Sequence, residues 1–570
     1  MSKQKYKPMM ADYRELIDFA EKKYGNLKAY KYKKDHTAKE PEYIEKTYTQ
    51  TVKDIKGFAT ALLSFKEKPS KVVIIGENRY EWVVGYFGVS TADIIVAPMD
   101  KLLPENEIKS LLSRCEAEAI IFEEKNLEVM KSIKSELKTL KTLICMDKVS
   151  DTEVEYFWDL VEKGNNLRDN GDDSYDKVTI DTSKTNILLF TSGTTDKSKI
   201  VMLSQANICS NIHAYQTHFL MKTSDTLLSI LPIHHTFESS ITIIYGFYSG
   251  VTVAFCDGLR YIAQNMKEYH VSILVAVPLL LETMYKKINK GIADKKKTGL
   301  INKLIKISNS LLKAHIDVRR LLFKSIIDNF GGELRIILYG AAKLDKETII
   351  GFNNFGIDSI QGYGLTETSP VVVAESEKKH CPGSAGYALD NLEVKIYKPD
   401  FSGVGEVLVK GPSVFLGYYK DEEKTREAFE GEYFKTGDYG YLNEDGFLFI
   451  TGRKKDIIVL RNGKNVYPEE LELLVNRIPY VKESMVFSRE KDKTDTVLMA
   501  KIVYDKEQME EKYPKKDEKF YKDIIWKDIK EINKGLENFK HIKKIIITDE
   551  PMSKTTTQKV KRYEELKKIK

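Results

Sequence analysis

Between residues 71 and 122 the chain alternates short, continuously apolar runs with helix-like stretches. Val72-Val73-Ile74-Ile75-Gly76 reads as a buried strand, 79–90 as a helix and 94–97 as the next strand. A helix from Pro104 and a strand at Ala119-Ile120-Ile121-Phe122 follow. Apolar runs that do not alternate with polar residues need cover on both faces, so the pattern predicts parallel sheets flanked by helices. The same texture returns at 251–255, 272–277, 334–339 and 357–361. Ahead of it, 13–24 predicts a charged amphipathic helix. The Asp- and Asn-rich stretch 165–183 predicts a loop. From about Gly403 short strands with Gly-rich turns predict a small β subdomain. Beyond Gly452-Arg453 a helix from Pro468 and strands at 484–487, 496–503 and 545–547 predict a compact α+β unit.

At residues 186–204 an apolar run, Ile187-Leu188-Leu189-Phe190, breaks into Thr191-Ser192-Gly193-Thr194-Thr195 and a charged turn ending at Lys199, then turns apolar again. The pattern predicts strand, loop, strand. Hydroxyls, backbone N–H groups and one ammonium suit a phosphate chain. The Walker pattern is absent, because it needs Gly-Lys-Ser/Thr opening a helix. An ordinary polar hairpin turn is the competing reading.

Other stretches add to it. Tyr339-Gly340-Ala341-Ala342 ends a buried strand with small residues that let a flat ring approach the backbone. In Gln361-Gly362-Tyr363-Gly364-Leu365-Thr366-Glu367 the glycines allow a tight turn and Tyr363 offers a stacking face. Thr366 can bind a phosphoryl oxygen, and Glu367 is a hard oxygen ligand suited to magnesium. The competing reading, a helix-capping Thr-Glu pair, explains two of these residues. Asp438, in Tyr433-Phe434-Lys435-Thr436-Gly437-Asp438, can accept hydrogen bonds from a ribose diol. Arg453, fifteen residues on, can anchor ribose and phosphate.

These motifs, in this order, resemble those of the AMP-forming adenylating superfamily: acyl-CoA synthetases, luciferases and peptide-synthetase adenylation domains. The resemblance spans nearly the whole chain and is strongest to the long-chain fatty acyl-CoA synthetase branch. It implies that residues 191–199 form the phosphate loop, with Asp196 where Gly is customary and Ser198 where Pro is common. It implies an adenine and acyl wall at Gly340, Ala341 and Ala342, and a nucleotide pocket at Gln361, Gly362, Tyr363, Gly364 and Thr366. Magnesium would sit on Glu367 and Thr191, ribose on Asp438 and Arg453. His235, in Pro232-Ile233-His234-His235-Thr236-Phe237-Glu238, matches the segment that gates the acyl pocket; a lone His pair lacks the partners of a metal site. Lys455 falls at the family's pivot. Lys559 takes the place of the catalytic lysine, with Gln558 where Gly is usual and Lys554 as the competing candidate.

The implied fold is α/β. A large N-terminal domain, 1–452, holds parallel-sheet subdomains and the small β subdomain; a small mobile α+β domain, 453–570, follows. The implied activity joins a carboxylate to AMP from ATP and then to the CoA thiol, with ATP, magnesium and CoA required. The acyl group expected is a medium- to long-chain fatty acid. An acyl-AMP ligase or acyl-carrier-protein synthetase is the alternative, and a non-catalytic nucleotide or acyl-binding protein a further one.

Composition changes this picture little. Net charge is +6 over 570 residues, too mild to argue for nucleic acid. The five cysteines are scattered, which points to free thiols in a reducing compartment, and the first residues carry no apolar core of a secretory signal. The expected location is cytoplasmic. The uncharged stretch 239–256 contains Gly246 and Gly250 and reads as a buried helix leading into a strand. Residues 286–324 stand out, with 12 Lys or Arg against Asp294 and Asp317. Leu300, Leu304, Ile307 and Leu311 recur there at helical spacing. A helix packed on the body with a solvated basic face is the leading reading; peripheral contact with anionic membrane is the second.

Overall fold

The computed structural model describes residues 6–191, 198–342, 344–460, 464–492, 495–555 and 559–569. The chain forms two compact units, Met1–Glu393 with Lys410–Glu432, and Val394–Val409 with Tyr433–Lys570.

The first unit is built on two sheets. In one, strands Ile95–Met99, Lys71–Ile75, Ala119–Phe122 and Thr142–Cys145 lie side by side and parallel. Val73, Ile75, Ile120 and Phe122 bury one face against Leu111, Leu112, Met130 and Ile133 of the flanking helices. Strand Ile187–Thr191 joins beside Ile95–Met99, and Lys199–Leu203 folds back on it antiparallel. The other sheet centres on Thr226–Ser229, Ile273–Ala276, Ile336–Tyr339 and Asp358–Gly364, again parallel. Leu274, Ile337, Phe323, Phe352 and Phe355 are among its core.

In the second unit, strands Gly405–Lys410, Tyr433–Leu442 and Phe447–Arg453 form an antiparallel ladder. Strands Val481–Asp492, Asp495–Tyr504 and Lys544–Thr548 form another sheet. Helix Glu518–Lys534 covers it through Tyr521, Ile525 and Ile529, spaced four apart on its buried face.

The α/β class and most of the expected elements are therefore present; three expectations need correction, and two strands had no expectation at all. The helix Phe157–Asp169 runs into the Asp/Asn-rich stretch read as loop, because Leu160, Val161 and Gly164 are buried on its inner face. Strands Lys28–Lys33 and Tyr43–Thr47 were hidden by their lysines; Tyr30 is buried and stacks on Phe255 at 5.8 Å. The glycines of 361–364 do not make a tight turn but continue strand Asp358–Gly364. In helix Thr298–Lys313 the apolar face is split. Leu304, with Ile301 and Ile305, packs on the core, whereas Leu300 and Ile307 are exposed.

The stretch 239–256 is a buried helical segment, Phe237–Tyr245 in π form and then Gly246–Ser249, leading into strand Thr252–Phe255. Among the described residues no helix is long and apolar enough to cross a membrane. The five cysteines are free.

Candidate active site

The first unit gathers most of the expected nucleotide residues at strand ends. Thr191 pairs directly with Lys199 across the hairpin, and its hydroxyl donates to the Lys199 carbonyl at 3.5 Å. The intervening Ser192, Gly193, Thr194, Thr195 and Asp196 lie outside the described residues. Ser198 is described, and Arg114 donates to its carbonyl at 2.6 Å.

Strand Gly417–Tyr418 adds to the other edge of the hairpin, with Tyr418 opposite Val201. That register sets the Tyr418 ring under the Lys199 ammonium, 4.4 Å from its centroid. The Tyr418 hydroxyl donates to Glu367 Oε1 at 3.0 Å. Burial and the Glu367 charge both push the phenol pKa up, so it stays a donor. One ring thus gathers the cation of the hairpin and the carboxylate expected to hold metal. Sequence reasoning passed over Tyr418, since Gly-Tyr-Tyr reads as an ordinary edge strand.

Glu367 stands just beyond the strand Asp358–Gly364. Gly364 is obligatory there, because a Cβ would lie 1.8 Å from the Pro370 carbonyl oxygen. Thr366–Thr368 is one short 3₁₀ turn, capped by Thr368, whose hydroxyl accepts from the Leu365 N–H at 3.0 Å. The capping threonine is therefore Thr368, and Thr366 is not spent on that bond. The Phe415 N–H donates to the Glu367 carbonyl at 2.9 Å, so Glu367 is also fixed through its backbone.

Gly340 closes strand Ile336–Tyr339 beside this one. Its Cβ position lies 2.8 Å from the Gly362 carbonyl oxygen, leaving no room for a side chain. Ala341 follows with φ +70°, a strained value for a residue with a Cβ, and Ala341 and Ala342 are exposed. Tyr339 donates to Gln361 Oε1 at 3.2 Å, tying the two strands at this end. Gly362 and Tyr363 pair with Ala374 and Val373 of the next strand. The expected wall at Gly340, Ala341 and Ala342 and the pocket residues Gln361, Gly362, Tyr363 and Gly364 therefore lie at the ends of two adjacent strands.

The His segment is held from two sides. Asn78 donates to Ser229 Oγ at 2.8 Å and to the Leu231 carbonyl at 2.7 Å. Glu238 is fully buried and accepts from Ser229 at 2.6 Å and Thr242 at 3.1 Å. Burial pushes its carboxyl up to about 8 against those hydroxyls, so it is neutral at physiological pH. The rings of His234 and His235 lie 4.6 Å apart and tilted by 36°, and His234 is driven well below its ordinary value by burial and by the charges of His235 and Lys101. Two residues ahead of the π-helix Phe237–Tyr245, the His235 carbonyl accepts from the Ser239 N–H at 2.9 Å. No metal cluster of three or more His, Cys, Asp or Glu occurs among the described residues.

The second unit carries the remaining candidates. Asp438 and Arg453 are direct partners in the ladder of Tyr433–Leu442 with Phe447–Arg453, and Arg453 Nε lies 3.3 Å from Asp438 Oδ1. The spacing of fifteen residues is thus the two arms of one hairpin. Asp438 is buried, with its N–H donating to Thr436 Oγ1 at 3.1 Å. Lys454 is tied to Glu406 at 2.7 Å, and Lys455, next along, is exposed.

Lys559 lies on a small hairpin closed by the bridge Lys554↔Val560. The Thr555 N–H donates to the Lys559 carbonyl at 2.8 Å, and Lys559 N–H to Thr555 Oγ1 at 3.2 Å. The residue as a whole is exposed, yet its ammonium is surrounded closely enough that desolvation lowers its pKa to about 8. Arg453 and Lys455 lower it further and Asp438 opposes them. Lys554, the competing candidate, is committed to Glu483 at 2.5 Å. Gln558 lies outside the described residues.

A match to the AMP-binding enzyme family covers residues 25–419, and one to the AMP-binding enzyme C-terminal domain covers 455–569. Among curated proteins the chain is similar to a long-chain-fatty-acid–CoA ligase of Mycobacterium bovis, FadD15, at 26% identity over 79% of this chain and 78% of that protein. It is similar at 25% identity to the chloroplastic long-chain-fatty-acid–[acyl-carrier-protein] ligase AEE15 of Arabidopsis thaliana, over 91% and 81% of the two chains. Among solved structures, the anthranilate CoA ligase AuaEII in complex with anthranoyl-AMP superposes with a TM-score of 0.77 at 19% identity, over 99% and 98% of the two chains.

Proposed function

The chain belongs to the AMP-binding enzyme family, it is an AMP-forming ligase that uses ATP, and we propose that its substrate is a medium- to long-chain fatty acid passed through acyl-AMP to CoA. The carboxylate oxygen attacks the α-phosphorus of ATP, pyrophosphate leaves, and the CoA thiol then displaces AMP from the acyl carbon with loss of its proton. The carboxylate is already ionised, so the first step needs no general base.

The observation that carries this reading is the placing of Lys199 and Glu367 on the one ring of Tyr418, beside the hairpin of Thr191. A cation and a hard carboxylate at the end of a hydroxyl-rich loop suit a triphosphate. Glu367 and the Thr191 hydroxyl offer oxygen donors only, which fits magnesium shared with phosphate oxygens and water. When bound, that ion neutralises phosphate charge. Gly340, Ala341, Ala342, Gln361, Gly362, Tyr363, Gly364 and Thr366 take the nucleotide on this reading, with Ser192, Gly193, Thr194 and Thr195 in the loop. His235 and Gly340 line the acyl entrance, Asp438 and Arg453 hold ribose, and Lys559 meets the developing phosphoryl charge. The domain boundary falls at 452/453, with Lys455 as the hinge.

Support for the fatty acid and for CoA comes from the similarity to the Mycobacterium long-chain-fatty-acid–CoA ligase. The Arabidopsis relative keeps a carrier-protein thiol as the second reading. The deciding experiment is pyrophosphate exchange over a chain-length series, followed by acyl transfer to CoA and to acyl-carrier protein. Exchange that peaks with medium- to long-chain acids and transfer to CoA are expected. Exchange without fatty-acid dependence overturns the substrate; transfer to the carrier protein alone overturns the acceptor.

The partner reading extends to anionic membrane. Leu300 and Ile307 face solvent on a helix flanked by the exposed lysines 295, 296, 297 and 303, a pairing suited to an acidic lipid surface. The arginines are spent elsewhere, Arg319 on Asp317 and Arg320 on the Leu334 carbonyl. Binding to phosphatidylserine vesicles at low salt should fall by about tenfold or more when Lys295, Lys296 and Lys297 are replaced by Gln. No binding at low salt leaves a solvated helix.

A further inference from the structure

Lys559 stands just inside the antiparallel bridge Lys554↔Val560, and its neighbours three residues on and six residues on are both anchored. Arg562 Nη2 donates to both oxygens of Glu472, at 2.5 and 2.6 Å, and Nη1 donates to the Val486 carbonyl at 2.9 Å. The Val486 N–H in turn donates to Glu472 Oε1 at 2.6 Å. Glu472 projects from helix Pro468–Val475 and Val486 belongs to strand Val481–Asp492, so a single guanidinium joins the hairpin to a helix and a strand. Its charge also faces Glu469 and Asp456. On the far side, Glu565 is fully buried and accepts from the Ser553 N–H at 2.9 Å and from Lys501 at 2.6 Å. Val560 packs with Met485, Phe487 and Met552. Alternation in the hairpin then sends Lys559 to the opposite side from Val560.

We infer that Arg562 and Glu472 form a clamp that positions Lys559, so that both are positioning residues of the adenylation step. The inference rests on the reading of Lys559 as the phosphoryl-facing lysine. A planar guanidinium whose Nη2 bonds the half-buried Glu472 carboxylate while its Nη1 bonds the Val486 carbonyl fixes distance and angle together, which an ammonium cannot do. The clamp lies three residues from Lys559, so a shift of the hairpin by a fraction of a turn carries the ammonium with it. Nothing in the clamp is needed for attack by the thiol on a finished acyl-AMP.

The test uses the full chain with Arg562→Lys and Glu472→Gln, each made alone and on a Lys559→Ala background. Adenylation is followed by pyrophosphate exchange and acyl transfer from pre-made acyl-AMP separately, with thermal melting as the folding control. Arg562→Lys should lower the exchange rate constant roughly 10- to 10²-fold, as misplacement of a reacting group does. The ATP KM and the transfer rate should stay near wild type, because only the transition-state placement of one group changes. On the Lys559→Ala background the same substitution should cost nothing more. Glu472→Gln, which keeps an acceptor but loses the charge, should give the same pattern more weakly and serves where Arg562→Lys does not fold. If Lys559→Ala is crippled but the clamp variants are silent, or their loss persists undiminished without Lys559, the clamp is wrong and the lysine stands. If Lys559→Ala itself exchanges at the wild-type rate, the reading of the lysine falls first and takes the clamp with it.

Discussion

Glu367 and Lys559, the two residues assigned to the phosphate, are held in different ways. Glu367 is placed by main chain. Its carbonyl accepts from Phe415 and its turn is closed by Thr368, while Gly364 brings its strand against Pro370. Lys559 is held locally by a backbone bond from Thr555, but its segment is anchored to the rest of its unit through side chains, Arg562 on Glu472 and Glu565 on Lys501. Two carboxylates raised by desolvation differ in their partners. Glu238, fully buried in the first unit, is satisfied by hydroxyls and pushed up to about 8, whereas the half-buried Glu472 in the second is pushed up to about 7 against the opposing charge of Arg562. A group placed by backbone is rigid and insensitive to its neighbours' charges. One placed by ion pairs can be displaced by changing a single distant residue.

The largest effect that would break this contrast is at Lys559 itself. Lys559→Ala should slow adenylation by roughly 10²–10³, the loss expected for one preorganised donor. Acyl transfer from supplied acyl-AMP should stay near wild type. Lys455→Pro should do the reverse, because a fixed φ hinders a hinge without removing a charge. Timing both half-reactions for each variant checks this, and equal damage to both by Lys559→Ala would refute the division of labour.

Next in size is the carboxylate. Glu367→Ala should depress exchange about 10²-fold and flatten its magnesium dependence. Tyr418→Phe should raise the magnesium concentration for half-maximal rate about tenfold, since it removes a bond that orients the carboxylate. A Tyr418→Phe enzyme with wild-type magnesium titration would detach Tyr418 from the metal.

The smallest effect concerns stability. Burial raises the Glu238 carboxyl from 4.5 to about 8, so between those values the folded chain holds a proton that the unfolded chain releases. Folding stability therefore falls as pH rises through that window, by at most about 1.4 kcal/mol per unit. Above about pH 8 both states are ionised and the fall stops. Glu238→Gln lacks this slope, so its melting temperature relative to wild type should climb by a few degrees, roughly, between pH 6 and 8. Parallel melting curves across that range would show that Glu238 is ionised in the fold.

The contrast also explains what could be read from the sequence. Glu367, Thr366 and Gly364 stand within one short word whose spacing is dictated by a strand end, and the word was readable. Asp438 and Arg453 announced themselves by spacing, because a hairpin register converts distance along the chain into adjacency. Tyr418 was not readable. It reaches Glu367 across 51 positions, by way of an edge strand whose sequence has no special composition. Arg562 was equally hidden, since its partner lies 90 positions away and in a Lys-rich tail any cation reads as solvated. The strands Lys28–Lys33 and Tyr43–Thr47 escaped for a related reason. The lysines of Lys28–Lys33 mask Tyr30, which is buried beside the neighbouring strand Thr252–Phe255.

The pairing of Asp438 with Arg453 also dictates where this chain can tolerate changes of length. Side chains alternate along a strand, so losing one residue from Phe447–Arg453 would turn Arg453 to the other face of the ladder. The turn at 443–446, closed by the Asn443 N–H on the Phe447 carbonyl at 3.0 Å, lies outside that count. An insertion scan through 433–453 should therefore produce a sharp map: inert chains from single insertions in either arm, and working ones from insertions at the tip.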